Sequence, residues 1–161
     1  MRRAAISWPF NLLAKLLPTV LAMGVAVDAA HAQPARKVPR LGYLAAVSAT
    51  ADAPRLEAFR RGLREQGYVE GQNIQIEYRH ESQDLTRLAS HAADLLAMDI
   101  DLLVAVTSNA AVAAKKSTST VPIVFMGVTD PISAGLAESL ARPGGNATGI
   151  TNVAAVLTGK R

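Results

Sequence analysis

The sequence predicts an open, doubly wound α/β sheet of five mostly parallel strands. Three observations carry that prediction. Short β-rich apolar runs alternate with helical patterns at the spacing of βαβ units. Two of those runs, LLVAV and IVF, have no polar alternation, as expected when helices cover both faces of a parallel sheet. The chain of 161 residues is 50% hydrophobic and 19% charged, which excludes collagen-like and wholly disordered architectures.

The strands are predicted at Leu41–Ala46, Ile74–Tyr78, Leu102–Val106, Ile123–Met126 and Thr148–Thr151. The first helix is predicted over Pro54–Gln66, where Leu56, Phe59 and Leu63 share a face and Gly67 supplies the stop. The second spans Leu85–Met98, with Leu88, Ala92, Leu95 and Leu96 on one face and Asp84 as the N-cap. A short Ala-rich helix, Asn109–Lys116, opens at Ser108 or Asn109 and places Lys115 and Lys116 at its negative dipole end. A fourth helix is predicted over Ile132–Ala141, stopped by Arg142-Pro143-Gly144-Gly145.

Residues 1–32 read as a cleavable secretory signal. Arg2, Arg3 and Lys15 give the positive region, Leu16–Val27 is an apolar run of twelve, and Ala30-His31-Ala32 supplies the small residues before a cut after Ala32. Twelve residues interrupted by Pro18 are short for a membrane span, which needs about 20. With no cysteine the chain has neither disulfides nor the lipid-anchoring residue of a bacterial lipoprotein. The expectation is a periplasmic protein, with residues 33–39 as a tether and 40–161 as a single α/β lobe.

The net charge of +4 suggests nucleic acid until the charges are placed. Outside the export segment 14 basic residues face 12 acidic ones, and Arg55, Arg60, Arg61 and Arg64 share a helical segment with Glu57 and Glu65, which reads as a solvated face. Aromatic residues, at 4%, are too few for a base-stacking surface, so no nucleic-acid partner is expected.

Doubly wound sheets bind ligands beyond the carboxyl ends of their strands. After strand one, AVSATADAP offers Ser48 and Thr50 as donors, with Thr50 or Asp52 equally able to cap the next helix. After strand three, Thr107, Ser108 and Asn109 stand at a helix N-terminus, where free N–H groups favour a carboxylate or another anion. After strand four come Thr129 and Asp130. Asp130 is expected to cap the fourth helix, with Pro131 at its first position, and ligand contact is its secondary role.

Signals for chemistry are missing. GGNATGIT has phosphate-loop glycine spacing, but Ile150 stands where the lysine must be. His80 and His91 lie 11 apart with no metal-binding spacing, no G-x-S-x-G elbow surrounds a serine, and there is no cysteine nucleophile. Asp94, Asp99 and Asp101 flank the amino end of strand three, the wrong end for a site. Asn146-Ala147-Thr148 fits a glycosylation sequon, a three-residue pattern that chance readily produces. No enzyme activity, metal or cofactor is expected.

The string PIVFMGVTDPISAGLAESLARPGGNATG, with ARKVPRLGYLAA, FRRGLREQGYVEGQNIQIEYR and DLLVAVTSNAAVAAKKSTSTVPIVF before it, resembles the ABC transporter substrate-binding proteins of periplasmic-binding-protein type I fold that are related to tryptophan and tyrosine uptake systems. The similarity covers Lys37 to Arg161. It implies a monomeric extracytoplasmic receptor of two lobes that closes on a small solute, such as an amino acid, and delivers it to a membrane permease. The rival expectations are a sensory input module with the same ligand and, more remotely, an exported α/β enzyme. The resemblance places the solute loops at Ala46–Thr50, Thr107–Ala110 and Val128–Asp130. Many relatives carry a Gly-Thr-Pro-type turn where this chain reads Thr107-Ser108-Asn109. Relatives also continue past NVAAVLTGKR into a second lobe, so the resemblance implies that the chain holds the signal and the first lobe, with the second lobe missing.

Overall fold

Five parallel strands and three α-helices make up the domain seen in the computed structural model, which describes residues 37–139 and 144–152. The predicted export segment, residues 1–32, residues 33–36 of the predicted tether, residues 140–143 at the end of the predicted fourth helix, and residues 153–161 lie outside the described residues. The strands are β1 (Arg40–Ala45), β2 (Gln75–His80), β3 (Leu102–Val106), β4 (Ile123–Val128) and β5 (Ala147–Thr151), and every pairing between them is parallel. Their order is β2-β1-β3-β4-β5. The chain steps one way from β1 to β2 and the other way thereafter, so the order reverses between β1 and β3.

That reversal divides the helices between the faces. Helix α1 (Ala49–Glu65) covers one face, where Leu56, Phe59 and Leu63 pack on Leu41, Tyr43, Ile76, Val104 and Val106. Helices α2 (Leu88–Ala97) and α3 (Ser108–Ser117) cover the other, closing Leu88, Leu95, Ala111 and Ala114 over Leu44, Leu103, Ile123 and Phe125. β3 alternates strictly, Leu103 and Ala105 to one face and Val104 and Val106 to the other, and all four are buried. A central strand buried on both sides has to be a continuous apolar run.

Three predicted boundaries are corrected. Helix α1 begins at Ala49, five residues before Pro54, because Ser48 caps it: its Oγ accepts from the Ala51 N–H at 3.2 Å. Neither Asp52 nor Thr50 is the cap, and Pro54 sits inside the helix. The second helix is split. Asp84 caps a single 3-10 turn, Leu85–Arg87, and the α-helix proper starts at Leu88. No helix forms over 132–139: Pro131 to Gly135 is one isolated turn. Asp130 caps its start through the N–H groups of Ile132 and Ser133, as expected, but Gly135, at φ 69°, ends it at once. The bonds Leu136 N–H to Pro131 O and Gly135 N–H to Ile132 O close the six-to-one and five-to-two pattern of a helix stop.

Asn146 pins the start of β5. Its Nδ2 donates to the carbonyls of Thr118 and Val121, and its Oδ1 accepts from Lys115 Nζ at 2.7 Å. The sequon asparagine is therefore engaged with the domain's own groups.

Beyond β2, Glu81 accepts the N–H groups of Gln83 and Asp84, with Arg87 at 3.5 Å and His91 at 3.6 Å. Those two backbone N–H groups first, and then the Arg87 guanidinium and a hydrogen bond from the His91 side chain, push its carboxyl down to about 2. Because this value lies below the ordinary 4.5, the stability Glu81 contributes is complete above pH 4.5 and is lost as the pH falls from there toward 2. Thermal melts between pH 6 and pH 2 are expected to show a shallower acid limb for Glu81→Gln than for the wild type; identical limbs would contradict this.

Candidate functional site

The carboxyl edge of the sheet is tied together across the switch point. The Ala46 N–H donates to Val106 O at 3.2 Å, and the Thr107 N–H donates to Met126 O at 2.9 Å. The loops that follow β1, β3 and β4 therefore leave the sheet side by side. Ser48 and Thr50 stand exposed on the β1 side, Thr107 and Ser108 half-buried and Asn109 exposed at the start of α3, and Thr129 and Asp130 exposed beyond β4.

Two of these seven residues share a described groove. Ser108 and Asn109 border a groove of about 300 Å³ that runs along α3 as far as Lys116, opposite the 3-10 turn and the start of α2 at Leu85, Thr86 and Ala89, whereas Ser48, Thr107 and Asp130 lie outside it. Asp130 is largely committed to its own turn, since Ser133 Oγ donates to Oδ2 at 2.6 Å in addition to the two N–H groups on Oδ1. The Ser133 hydroxyl and N–H hold its carboxyl below the usual range.

Thr107 is the exceptional residue. Its backbone lies at φ 82° and ψ 163°, a region that is essentially glycine's, and a β-branched side chain there costs on the order of 1–3 kcal/mol. Its Oγ1 is buried without a hydrogen-bond partner and does not cap α3, although the Thr107 carbonyl accepts the Ala111 N–H at 3.1 Å. Strain and an unsatisfied hydroxyl thus coincide at the switch point, beside the free N–H groups of a helix N-terminus.

One polar centre escaped the sequence. Asp52, in the first turn of α1, is completely buried. Its Oδ2 accepts from Tyr43 Oη at 2.9 Å and lies 3.2 Å from His80 Nε2, while Oδ1 accepts from Arg55 Nη1 at 2.6 Å. Tyr43 is itself fully buried against Phe59 and Tyr78, with ring centroids 5.6 Å away in each case, so it offers no stacking face to a ligand. Burial, then the Asp52 contact, raises its phenol above the ordinary range. The group unites β1, α1 and β2 from positions 9 and 28 residues apart, a convergence with no local spacing to reveal it.

Among the described residues no group of three or more His, Asp or Glu could hold a metal ion, and no helix is long and apolar enough to cross a membrane.

Comparison with known proteins converges on one family. The family model described as ABC transporter substrate binding protein matches residues 41–158. A tyrosine-binding protein of Clostridioides difficile is 34% identical over 110 residues, which cover 66% of this chain and 32% of that protein. An ABC domain from Streptococcus pneumonia, solved in complex with L-Trp, superposes with a TM-score of 0.66 at 31% identity, over 70% of this chain and 38% of that one. A conserved domain protein of Vibrio cholerae gives a TM-score of 0.71 at 29% identity, over 76% and 42%. The chain thus spans about a third of the curated relative it matches.

Proposed function

Because the chain belongs to the ABC transporter substrate-binding protein family, we propose that residues 40–161 form the N-terminal lobe of an extracytoplasmic receptor that binds a free amino acid for delivery to a membrane permease. Residues 1–32 direct export and are removed after Ala32, and 33–39 tether the lobe. The receptor is a monomeric binding protein, neither an enzyme nor a carrier of a cofactor. The amino-acid class rests on the relatives, one a tyrosine-binding protein and another solved with L-Trp. The observation that carries the site is Thr107: a strained residue with a buried, unpartnered hydroxyl at the point where the strand order reverses. In this reading the α-carboxylate sits on the N-terminus of α3 beside Thr107, Ser108 and Asn109. Ser48 and Thr50 contribute from the facing loop, and Thr129 and Asp130 close the far side.

One lobe supplies one wall of a cleft, so its affinity is low. Titration of the ¹⁵N-labelled chain with L-tryptophan is expected to give a Kd of about 1 mM or weaker, worth roughly 4 kcal/mol. Shifts should be confined to 46–50, 107–111 and 128–130, with D-tryptophan as the control. Perturbation elsewhere only, or equal response to both enantiomers, would remove the reading. Thr107→Gly provides the complementary check. It relieves the strain and the unsatisfied hydroxyl against the glycine entropy cost, so thermal stability should rise by about 1 kcal/mol. The L-tryptophan shifts at 107–111 should shrink.

A further inference from the structure

We infer that Asp52 is a positioning residue for the solute loop Ala46–Thr50, an inference that rests on the reading of that loop just proposed. The rest of α1 is held chiefly by packing, with Leu56, Phe59 and Leu63 against the sheet and Arg60 Nε adding hydrogen bonds to Tyr78 Oη and Glu70 Oε2. Its first turn is not, since Ala49, Thr50, Ala51 and Ala53 are all exposed. Asp52 is the single residue of α1 that is fully buried, and it reaches the sheet through hydrogen bonds. An apolar contact tolerates sliding and rotation, whereas a hydrogen bond to a carboxylate is directional and short. Oδ2 is set by Tyr43 on β1 and His80 at the end of β2, and Oδ1 by Arg55 one turn along α1. The Asp52 N–H in turn donates to Ser48 O at 3.0 Å, and Ser48 caps the same turn. The carboxylate therefore sets the height and rotation at which Ser48 and Thr50 leave the sheet edge.

Amide hydrogen exchange by NMR on the full chain tests this directly. In Asp52→Asn, exchange at Ala51, at position 52 and at Ala53 is expected to accelerate by about tenfold or more, while Phe59–Leu63 and β3 stay within about twofold of wild type. Tyr43→Phe and His80→Leu each remove one polar partner and leave the carboxylate with its others, so they should give the same local pattern at smaller amplitude even if Asp52→Asn folds poorly. Unchanged exchange, or a uniform acceleration through α1 and the sheet, would make Asp52 an ordinary stability residue and overturn the proposal. Titration with L-tryptophan separates the two ideas. In Asp52→Asn the shifts at 46–50 should disappear while those at 107–111 persist. If the wild-type chain answers L-tryptophan at neither loop but the local exchange pattern holds, the solute reading fails and the positioning role stands.

Discussion

Leu103→Ala is expected to cost about 2–5 kcal/mol, the range for emptying a fully buried leucine site. Leu103 lies on the central strand, is completely buried, and packs beneath α2 and α3, where the surroundings have little freedom to collapse. A loss of that size is a large share of the roughly 5–15 kcal/mol that holds a domain folded, and should lower the melting temperature by 10 °C or more. The neighbouring strand offers an internal control. A Cβ added at Gly42 of β1 would lie 2.8 Å from Ile100 Cδ1 and 3.0 Å from Leu103 Cδ1. The absent side chain at 42 and the present one at 103 therefore share a single volume. Gly42→Ala alone should destabilise by overpacking, by about 1–3 kcal/mol. The double substitution should cost less than the sum, by on the order of 1 kcal/mol, because the new methyl enters space vacated by the leucine. Additive melts across the four proteins would show that the two positions do not compete for that space.

The same packing explains what could be read from residues alone. The central strands were legible because burial on both faces forces runs such as Leu102–Val106 to be apolar without interruption, whereas β2 and β5, mostly half-buried or exposed, were read from β-rich residues at βαβ spacing. Helix limits were less legible. Pro54 has the signature of a first helical residue, yet Ser48, six residues earlier, captures the Ala51 N–H and the helix absorbs the proline. At Ile132–Ala141 the apolar spacing and the Asp130-Pro131 start are those of a helix, and Asp130 does cap a turn. Gly135 then takes a positive φ and ends it within one turn. The site divided in the same way. The strand ends placed Ser48, Thr107 and Asp130 at the carboxyl edge, because topology alone dictates where loops emerge. Two things had no local signature: the strained backbone of Thr107, which the surrounding fold imposes, and the meeting of Tyr43, Asp52 and His80, which depends on how β1, α1 and β2 lie in space.

Gly149→Val is expected to release β5 from the sheet. Gly149 pairs with Phe125 of β4, and a Cβ built there would overlap the Phe125 carbonyl oxygen and lie 2.5 Å and 2.7 Å from its ring carbons Cδ2 and Cγ. The ring could turn aside, but the carbonyl belongs to a strand paired on both sides and cannot retreat without breaking β4 from β3. Among the described residues β5 borders only β4, so it is the element that gives way. The cost should reach or exceed the upper end of the ~1–3 kcal/mol typical of overpacking, because backbone rather than a flexible side-chain tip is struck. The loss should also be graded along the strand. Asn146 holds its start through Lys115, Thr118 and Val121, and Ala147 is buried in the core, whereas Ile150 is 68% exposed and contributes little. Amide exchange should therefore show protection lost from Gly149 onward, including the Asn152 N–H that donates to Val128 O, while Ile123 keeps its bond to Asn146 O. Thr129 and Asp130 follow Val128 directly, so the loop after β4 should lose order in the same variant while those after β1 and β3 do not. If β5 stays paired in Gly149→Val, the close approach of its backbone to Phe125 is not what requires glycine there.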